Sequence, residues 1–412
     1  MVCEILTIGT EILLGDILNS NSQYLSNKLA ELGIDVYKHT SVGDNEERIL
    51  SALEEAYKNC DLVITSGGLG PTTDDLTKET CAKYFNKKLI IHEESLNKIN
   101  CFFNMIKGDY PKSNEKQAYF IEGSTVIPNN NGTAPGLIYE DKERNKKLII
   151  LPGPPKELIL MFEESVCPYL RNFSKYIIIS KMLKTCSLGE SKMASMVEDI
   201  ILNSTNPTVA PYAKQGESLL RVTAKAESEE ECYKLMNPVI KNIYDRLGIS
   251  LYGEDNDTIQ SILGKLLMDR DLTISVAESC TGGKISSMLV EVPGISKVFL
   301  EGVTAYSNEA KIRTLGVNSE TIEKYGAVSE ECAKEMALGI AKYTGSKTSI
   351  STTGIAGPDG GTNEKPVGLV YIGIYIDGET KVFKHNYSRS RLDIINRISI
   401  LALNYLREEL LN

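Results

Sequence analysis

The 412-residue chain has no tryptophan and only three histidines, His39, His92 and His385. So few imidazoles exclude H-E-x-x-H and three-histidine zinc sites. None of the nine cysteines (3, 60, 81, 101, 167, 186, 232, 280 and 332) forms a C-x-x-C pair. Their odd number and scattered spacing support neither a zinc ribbon nor a disulfide framework, and they fit thiols kept reduced in a cytoplasmic location. No apolar run approaches the ~18 residues of a membrane span; the longest, Leu369–Ile376, reads as a buried strand. The first residues carry Glu4 and no basic cluster, so they read as a strand rather than a secretion signal. A basic surplus is also missing: 45 Lys+Arg against 55 Asp+Glu leave a net charge of −10. Phosphate backbones would be repelled, which makes nucleic acid and anionic membranes poor partners. What is present is ordinary for a globular protein, 42 % hydrophobic and 24 % charged residues, with length for two or three domains at roughly 150 residues each. With imidazole scarce, any catalytic metal rests on carboxylates, which favours Mg²⁺ or a similar divalent ion.

Residues 1–170 alternate strand and helix patterns. Val2–Ile8, Ile34–Val42, Asp61–Thr65 and Lys147–Leu151 read as strands, and Leu25, Leu29 and Leu32 as one helical face between Asn19–Asn21 caps and Gly33. Glu46–Lys58 and Asp74–Phe85 read as further helices, and the order argues for a parallel α/β sheet. Ligands of such sheets bind at the carboxyl ends of the strands. Ser66–Asp75 lies there, with Gly67, Gly68 and Gly70 able to bring backbone amides near a phosphate. Asp74 and Asp75 have two readings. With Thr72 or Thr73 they cap the helix, or they hold a divalent cation that separates them from bound phosphates. Two more Gly/Pro-rich loops, Asn129–Gly136 (with Gly132 and Thr133) and Leu151–Glu157 (with Pro152 and Gly153), are turn chemistry or, taken together, the walls of one cleft.

Residues 171–253 read as a small α+β module. Lys175–Leu183, Pro207–Tyr212 and Ser218–Ala226 are its strands, Gln215-Gly216 a turn, and Gly189–Leu202 and Glu227–Leu247 its helices. Ten Lys/Arg against nine Asp/Glu over 173–252, and no evident GXXG clamp, favour a spacer or dimerisation role over RNA binding.

In residues 254–412 the strand Leu272–Ala277 runs into Glu278-Ser-Cys-Thr-Gly-Gly283 and a helix. Ser279, with Thr281 and Gly282 beside it, is either an N-cap turn with packing glycines or an exposed hydroxyl ringed by amide donors. Lys311 falls in the first turn of a helix capped by Ser307 or Asn308. In solvent it is bland. Buried beside Ser279 it would lose its proton and serve as general base. Thr353 and the amides around Gly354 would orient substrate or meet an oxyanion. Arg389, Arg391 and Arg397 near the last helix would hold a phosphate, or form a solvated face.

These motifs also carry a resemblance. Gly9–Leu13 with Gly15, Ser66–Asp75, Lys116-Gln117-Ala118, Gly132–Gly136 and Leu151–Pro155 resemble the molybdopterin-binding-like domain of the competence-damage-inducible protein A family. The middle module is similar to that family's KH-like domain. Ala277–Gly283, Tyr306-Ser-Asn308 with Lys311, Gly326–Ser329, Gly354–Gly361 and Lys365–Gly368 resemble its nicotinamide-nucleotide amidase domain. The resemblance implies an α/β chain of three parts: a parallel-sheet molybdopterin-binding-like domain at 1–170, a small α+β KH-like module at 171–253 and an α/β amidase domain at 254–412. It implies hydrolysis of ADP-ribose with a divalent metal (Mg²⁺ or similar) at Asp74 and Asp75 in the first domain. In the last, it implies deamidation of nicotinamide mononucleotide without a cofactor, by Ser279 as nucleophile, Lys311 as base, and Tyr306 and Thr353. Substrate contacts are expected at Gly67, Gly68, Thr72, Lys116, Asn129, Gly132, Thr133, Pro152 and Gly153, and at Thr281, Gly282, Gly354, Arg391 and Arg397. A homodimer is expected. Cys280, activated by His385, is the rival nucleophile. Two rival functions stay open: an active amidase beside a passive pterin- or nucleotide-binding domain, and a non-catalytic competence partner.

Overall fold

The computed structural model describes residues 1–105, 112–214 and 216–412; Gln215, read above as part of a turn, lies outside them. The chain forms two compact units, residues 1–179 with 225–233, and residues 180–224 with 234–412.

The first unit is built on a six-stranded sheet. Its order is Asp35–Val42, Val2–Ile8, Leu62–Ser66, Lys146–Leu151, Gly136–Asp141, Thr125–Ile127. The first four strands are mutually parallel and the last two join antiparallel. Leu62–Ser66 is buried along its whole length, as a central parallel strand covered on both faces must be. Leu25 and Leu29 of the helix Ser20–Glu31 pack on one side of the sheet, and Ile49, Leu53 and Ala56 of Glu46–Asn59 on the other. Asn19 caps the first of these helices by accepting from the Ser22 amide. The helix read from Asp74 begins only at Thr77, behind Leu76, with no side-chain cap. Asp74 and Asp75 therefore do not cap it. Asp75 folds back to accept from the backbone and hydroxyl of Thr72, which keeps the segment out of the helix.

Two other sheets follow along the chain. Thr208–Lys214, Glu217–Ala226, Ile177–Thr185 and Leu251–Glu254 form one, in that order, and Phe299–Thr304, Ile274–Glu278, Thr348–Gly354, Leu369–Ile376 and Glu379–Asn386 the other. Ile274–Glu278 lies between two parallel neighbours, so its carboxyl end is where a ligand pocket is expected. The helix anticipated over 189–202 is two, Glu190–Met196 and Glu198–Asn203, broken at Val197. The middle segment is not a free spacer. Cys186 and Tyr252 belong to the same apolar core as Leu263, Val276 and Leu403, and the buried Arg407 donates to the carbonyl of Ile249 at 2.5 Å.

Gly339 gives a test in which two effects oppose each other. It lies inside the helix Glu330–Thr344, where alanine would raise helix propensity by about 1 kcal/mol. A Cβ there would stand 1.8 Å from the carbonyl oxygen of Leu315, and backbone overlap of this kind costs about 1–3 kcal/mol or more. Gly339→Ala is therefore expected to destabilise the chain, read as a lower denaturant midpoint.

Candidate active site

Ser279 leaves the carboxyl end of the strand Ile274–Glu278, and its amide donates to the Thr352 carbonyl at 3.0 Å. The turn that follows uses Gly282 and Gly283 at φ of +62° and +96°, conformations that a Cβ disfavours. The buried Glu278 carboxylate fastens this turn. It accepts from the amides of Gly283 (3.0 Å), Ile285 (3.1 Å) and Ser286 (2.8 Å) and from the Ser286 hydroxyl (2.8 Å). The helix amides expected to surround the nucleophile are thus already taken by a neighbouring side chain.

Lys311 enters from the first turn of the helix Asn308–Leu315, capped by Ser307. It is 2 % exposed. Its Nζ lies 3.0 Å from Ser279 Oγ and 3.0 Å from the carbonyl oxygens of Ala305 and Tyr306. Desolvation lowers its pKa from the ordinary 10.5, and among the described residues no carboxylate pairs with it. A neutral amine fits these three contacts: two N–H groups donate to the carbonyls, and the lone pair faces the serine hydroxyl. The arrangement can take a proton from Ser279, the basic requirement of an activated nucleophile.

A cavity of about 250 Å³ opens on Ser279 and Lys311, lined also by Tyr306, Thr353, Gly354 and Arg391. Thr353 is buried and its hydroxyl donates to the Ala327 carbonyl at 2.7 Å, so it holds the wall and does not offer its proton to a ligand. Arg391 reaches the Gly357 carbonyl (2.7 Å) and the Tyr306 hydroxyl (3.3 Å) across the mouth. Thr281 and Gly282 do not line the cavity; Thr281 is buried and shares a 2.7 Å hydrogen bond with Thr352. Arg397 is also elsewhere. Six residues on, it is turned to another face of the helix Arg391–Leu411, and its guanidinium sits 5.2 Å from the Tyr387 ring centroid. The Cys280–His385 pairing is absent. His385 is stacked between Tyr387 and Tyr405, with both ring nitrogens engaged by their hydroxyls. Burial pushes the Cys280 thiol up to about 12, so it is a poor thiolate at neutral pH.

In the first unit the three Gly/Pro loops do meet. A cavity of about 370 Å³ is lined by Gly67, Gly68, Gly70, Asp74, Asp75, Thr133, Pro152 and Gly153. Sequence reasoning missed four of its carboxylate and amide groups: Glu11, Asp44, Glu157 and Gln117 also line it. Strand ends were the signal that could have found Glu11 and Asp44, since both follow parallel strands. Thr72 and Lys116 are not in this cavity but beside a neighbouring one. The Lys116 ammonium is held by the carbonyls of Thr72 (3.1 Å) and Asp75 and by Glu79 at 3.3 Å. Asn129 and Gly132 face a third cavity. Gly67 and Gly68 are glycines for a reason within the protein: a Cβ would stand 2.0 Å from the Ile8 carbonyl oxygen and 2.1 Å from Thr77 Oγ1 respectively.

The donor set suits a hard cation. Asp74 is exposed and Asp75 half-buried at the cleft, and hydrogen bonding from Thr72 holds the Asp74 carboxyl below its usual range. Among the described residues no three His, Cys, Asp or Glu side chains converge as a complete metal cage. A cation bound here would complete its shell with phosphate oxygens and water, which is the habit of Mg²⁺.

Three family models match successive segments of the chain. Residues 4–172 match the model described as probable molybdopterin binding domain, 180–253 the damage-inducible protein CinA KH domain, and 256–410 the CinA C-terminal domain. A CinA-like protein of Dictyoglomus thermophilum is 57 % identical over 412 residues, covering 100 % of both chains. The chain belongs to the CinA family. Another CinA relative, the putative competence-damage inducible protein of Clostridium perfringens, is 53 % identical over 410 residues, 100 % of this chain and 99 % of that one. The crystal structure of the protein CinA with unknown function from Thermoplasma acidophilum is 37 % identical, covering 39 % of this chain and 94 % of that one with a TM-score of 0.37. No helix among the described residues is long and apolar enough to cross a membrane.

Glu278 is expected to be the structural key to the nucleophile turn. Glu278→Gln sets an NH₂ group against backbone N–H donors in a buried place, a loss of about 2 kcal/mol or more. Chemical unfolding of the variant checks it.

Proposed function

We propose that the chain is a bifunctional hydrolase of pyridine-nucleotide salvage in the cytoplasm. Its C-terminal half deamidates nicotinamide mononucleotide, and its N-terminal domain hydrolyses ADP-ribose with a divalent metal. The observation that carries the reading is the buried Lys311 amine at 3.0 Å from Ser279 Oγ, joined to the motif resemblance that names the substrates.

In the amidase reaction Lys311 Nζ takes the Ser279 proton as Oγ attacks the carboxamide carbon. The tetrahedral oxyanion collapses, the C–N bond breaks, and the proton on Lys311 passes to the leaving nitrogen, which departs as ammonia. Water, deprotonated by the same amine, then cleaves the ester to give nicotinate mononucleotide and free Ser279. Because Glu278 occupies the helix amides, we assign the oxyanion to the Cys280 amide, next to the nucleophile in the chain, and to the Gly354 amide. Arg391 at the mouth is placed to meet the substrate phosphate.

In the N-terminal cleft the Gly67–Gly70 backbone would line the diphosphate, and Asp74 and Asp75 would hold the divalent cation. When bound, the cation offsets the diphosphate charge that these carboxylates would otherwise repel. Thr133, Pro152 and Gly153 close the cleft around it.

The two activities are expected to be lost independently. Ser279→Ala and Lys311→Ala should lower deamidation by about 10²–10⁴-fold or more and leave ADP-ribose hydrolysis intact, whereas Asp75→Ala should do the reverse. A wild-type chain inert toward both substrates overturns the reading. The pH profile gives a second check. The amine works only when unprotonated, and desolvation lowers its pKa. Amidase kcat/KM should therefore rise with pH through a midpoint below the 10.5 of an ordinary lysine. A flat profile would remove Lys311 from the mechanism.

A further inference from the structure

Two residues singled out in the sequence, His385 and Arg397, lie outside the cavity and take no part in the proposed chemistry. They belong to one column of side chains. Phe383, His385 and Tyr387 lie two apart on and just beyond the edge strand Glu379–Asn386, so they share one face. Tyr405 of the helix Arg391–Leu411 stacks against them. Its ring centroid is 4.0 Å from that of Phe383 and 5.6 Å from that of His385, and His385 is 5.4 Å from Tyr387, with planes 8–11° apart. The Arg397 guanidinium lies 5.2 Å from the Tyr387 ring centroid.

The column is more than apolar packing. His385 Nδ1 shares a 3.1 Å hydrogen bond with the Tyr387 hydroxyl, and Nε2 one of 2.9 Å with the Tyr405 hydroxyl. A neutral imidazole donates from one nitrogen and accepts at the other. Desolvation, with the Arg397 charge nearby, lowers the pKa of this ring and favours that form. A phenylalanine here would stack and bind neither hydroxyl.

Both tyrosines are tied to the pocket. The Tyr387 amide donates to the Gly368 carbonyl at 3.1 Å, and a Cβ on Gly368 would stand 1.9 Å from the Tyr387 carbonyl oxygen. Gly368 in turn donates to the carbonyl of Ile355, in the pocket wall, at 2.7 Å. Tyr405 rides on the helix that Arg391 opens, ~21 Å along a stiff rod at 1.5 Å per residue. Only Ser388, Arg389 and Ser390 separate Tyr387 from Arg391. We propose that His385 is a positioning residue for Arg391. By bridging Tyr387 and Tyr405 it sets how far the last helix slides along the strand, and so how far the Arg391 guanidinium stands from Ser279. This rests on the deamidase reading, in which Arg391 meets the substrate phosphate, and deepens it. Selection of a phosphorylated substrate over its phosphate-free form depends on a histidine outside the pocket.

Steady-state deamidation by the full chain tests this, with nicotinamide mononucleotide and with nicotinamide riboside, the same molecule without its phosphate. His385→Phe keeps the stack and removes both hydrogen bonds. It should raise KM for the mononucleotide roughly threefold to tenfold, hold kcat within about twofold and leave kcat/KM for the riboside unchanged. In an Arg391→Ala background, where the phosphate contact is already gone, the same change should add nothing. Tyr405→Phe removes one of the two hydrogen bonds. It should give a smaller KM shift of the same kind, and it carries the test where thermal melts show that the histidine variant does not fold. An unchanged mononucleotide KM in both variants, a fall in kcat with both substrates, or an undiminished effect in the Arg391→Ala background would each overturn the proposal and leave the deamidase reading standing. A wild-type chain that does not deamidate the mononucleotide removes that reading and the proposal with it.

Discussion

The C-terminal site depends on one constraint: an amine is taken out of water with no carboxylate paired to it among the described residues. Desolvating a lysine without a counter-charge favours the neutral form. Lys311 meets that condition and still satisfies its polar atoms, because the chain ends two carbonyls and a hydroxyl at its tip. Everything around it serves this placement. The Ser307 cap starts its helix where the amine points inward. The central strand delivers Ser279 to the same point, and Glu278 locks the turn behind it. A histidine-poor sequence thus sets an amine against a serine hydroxyl, the pairing on which the proposed base-assisted chemistry rests, without imidazole.

The N-terminal cleft solves a different electrostatic problem. Glu11, Asp44, Asp74, Asp75 and Glu157 surround one cavity, and like charges so placed are stable only because water screens them or a cation joins them. Part of this charge is already committed. Asp44 accepts from Thr10, Asp75 from Thr72 and Glu157 from Asn129. Nearby, Lys78 is buried against the Gln117 carbonyl (2.8 Å) and the Phe120 ring, and burial draws its pKa down to about 7. It anchors the segment that brings Gln117 to the cleft.

How much of this could be read in the sequence follows from how local each signal is. Strands such as Leu369–Ile376 and the Ser279 turn were legible because apolar runs and glycine spacing are local. The Lys311 position was legible from its helix cap, although its burial was not. Arg397 and Thr281 were misplaced because helix phase and turn packing decide which way a side chain faces. Thr72 and Lys116 were misplaced because Asp75 turns back on Thr72 and delays the helix. The role of Glu278 was invisible. It reaches forward to Gly283, Ile285 and Ser286, and nothing in a strand-terminal glutamate announces that.

That same carboxylate decides how a phosphorylated molecule can lie in the pocket. The head of a helix is ordinarily a seat for anions, and here the seat beside the nucleophile is filled by the protein's own side chain. A phosphate finds no vacancy there and is left with Arg391 at the rim. For the phosphorylated substrate proposed above, the uncharged end would then be the one that travels inward, its orientation set before any contact with the reacting group is made.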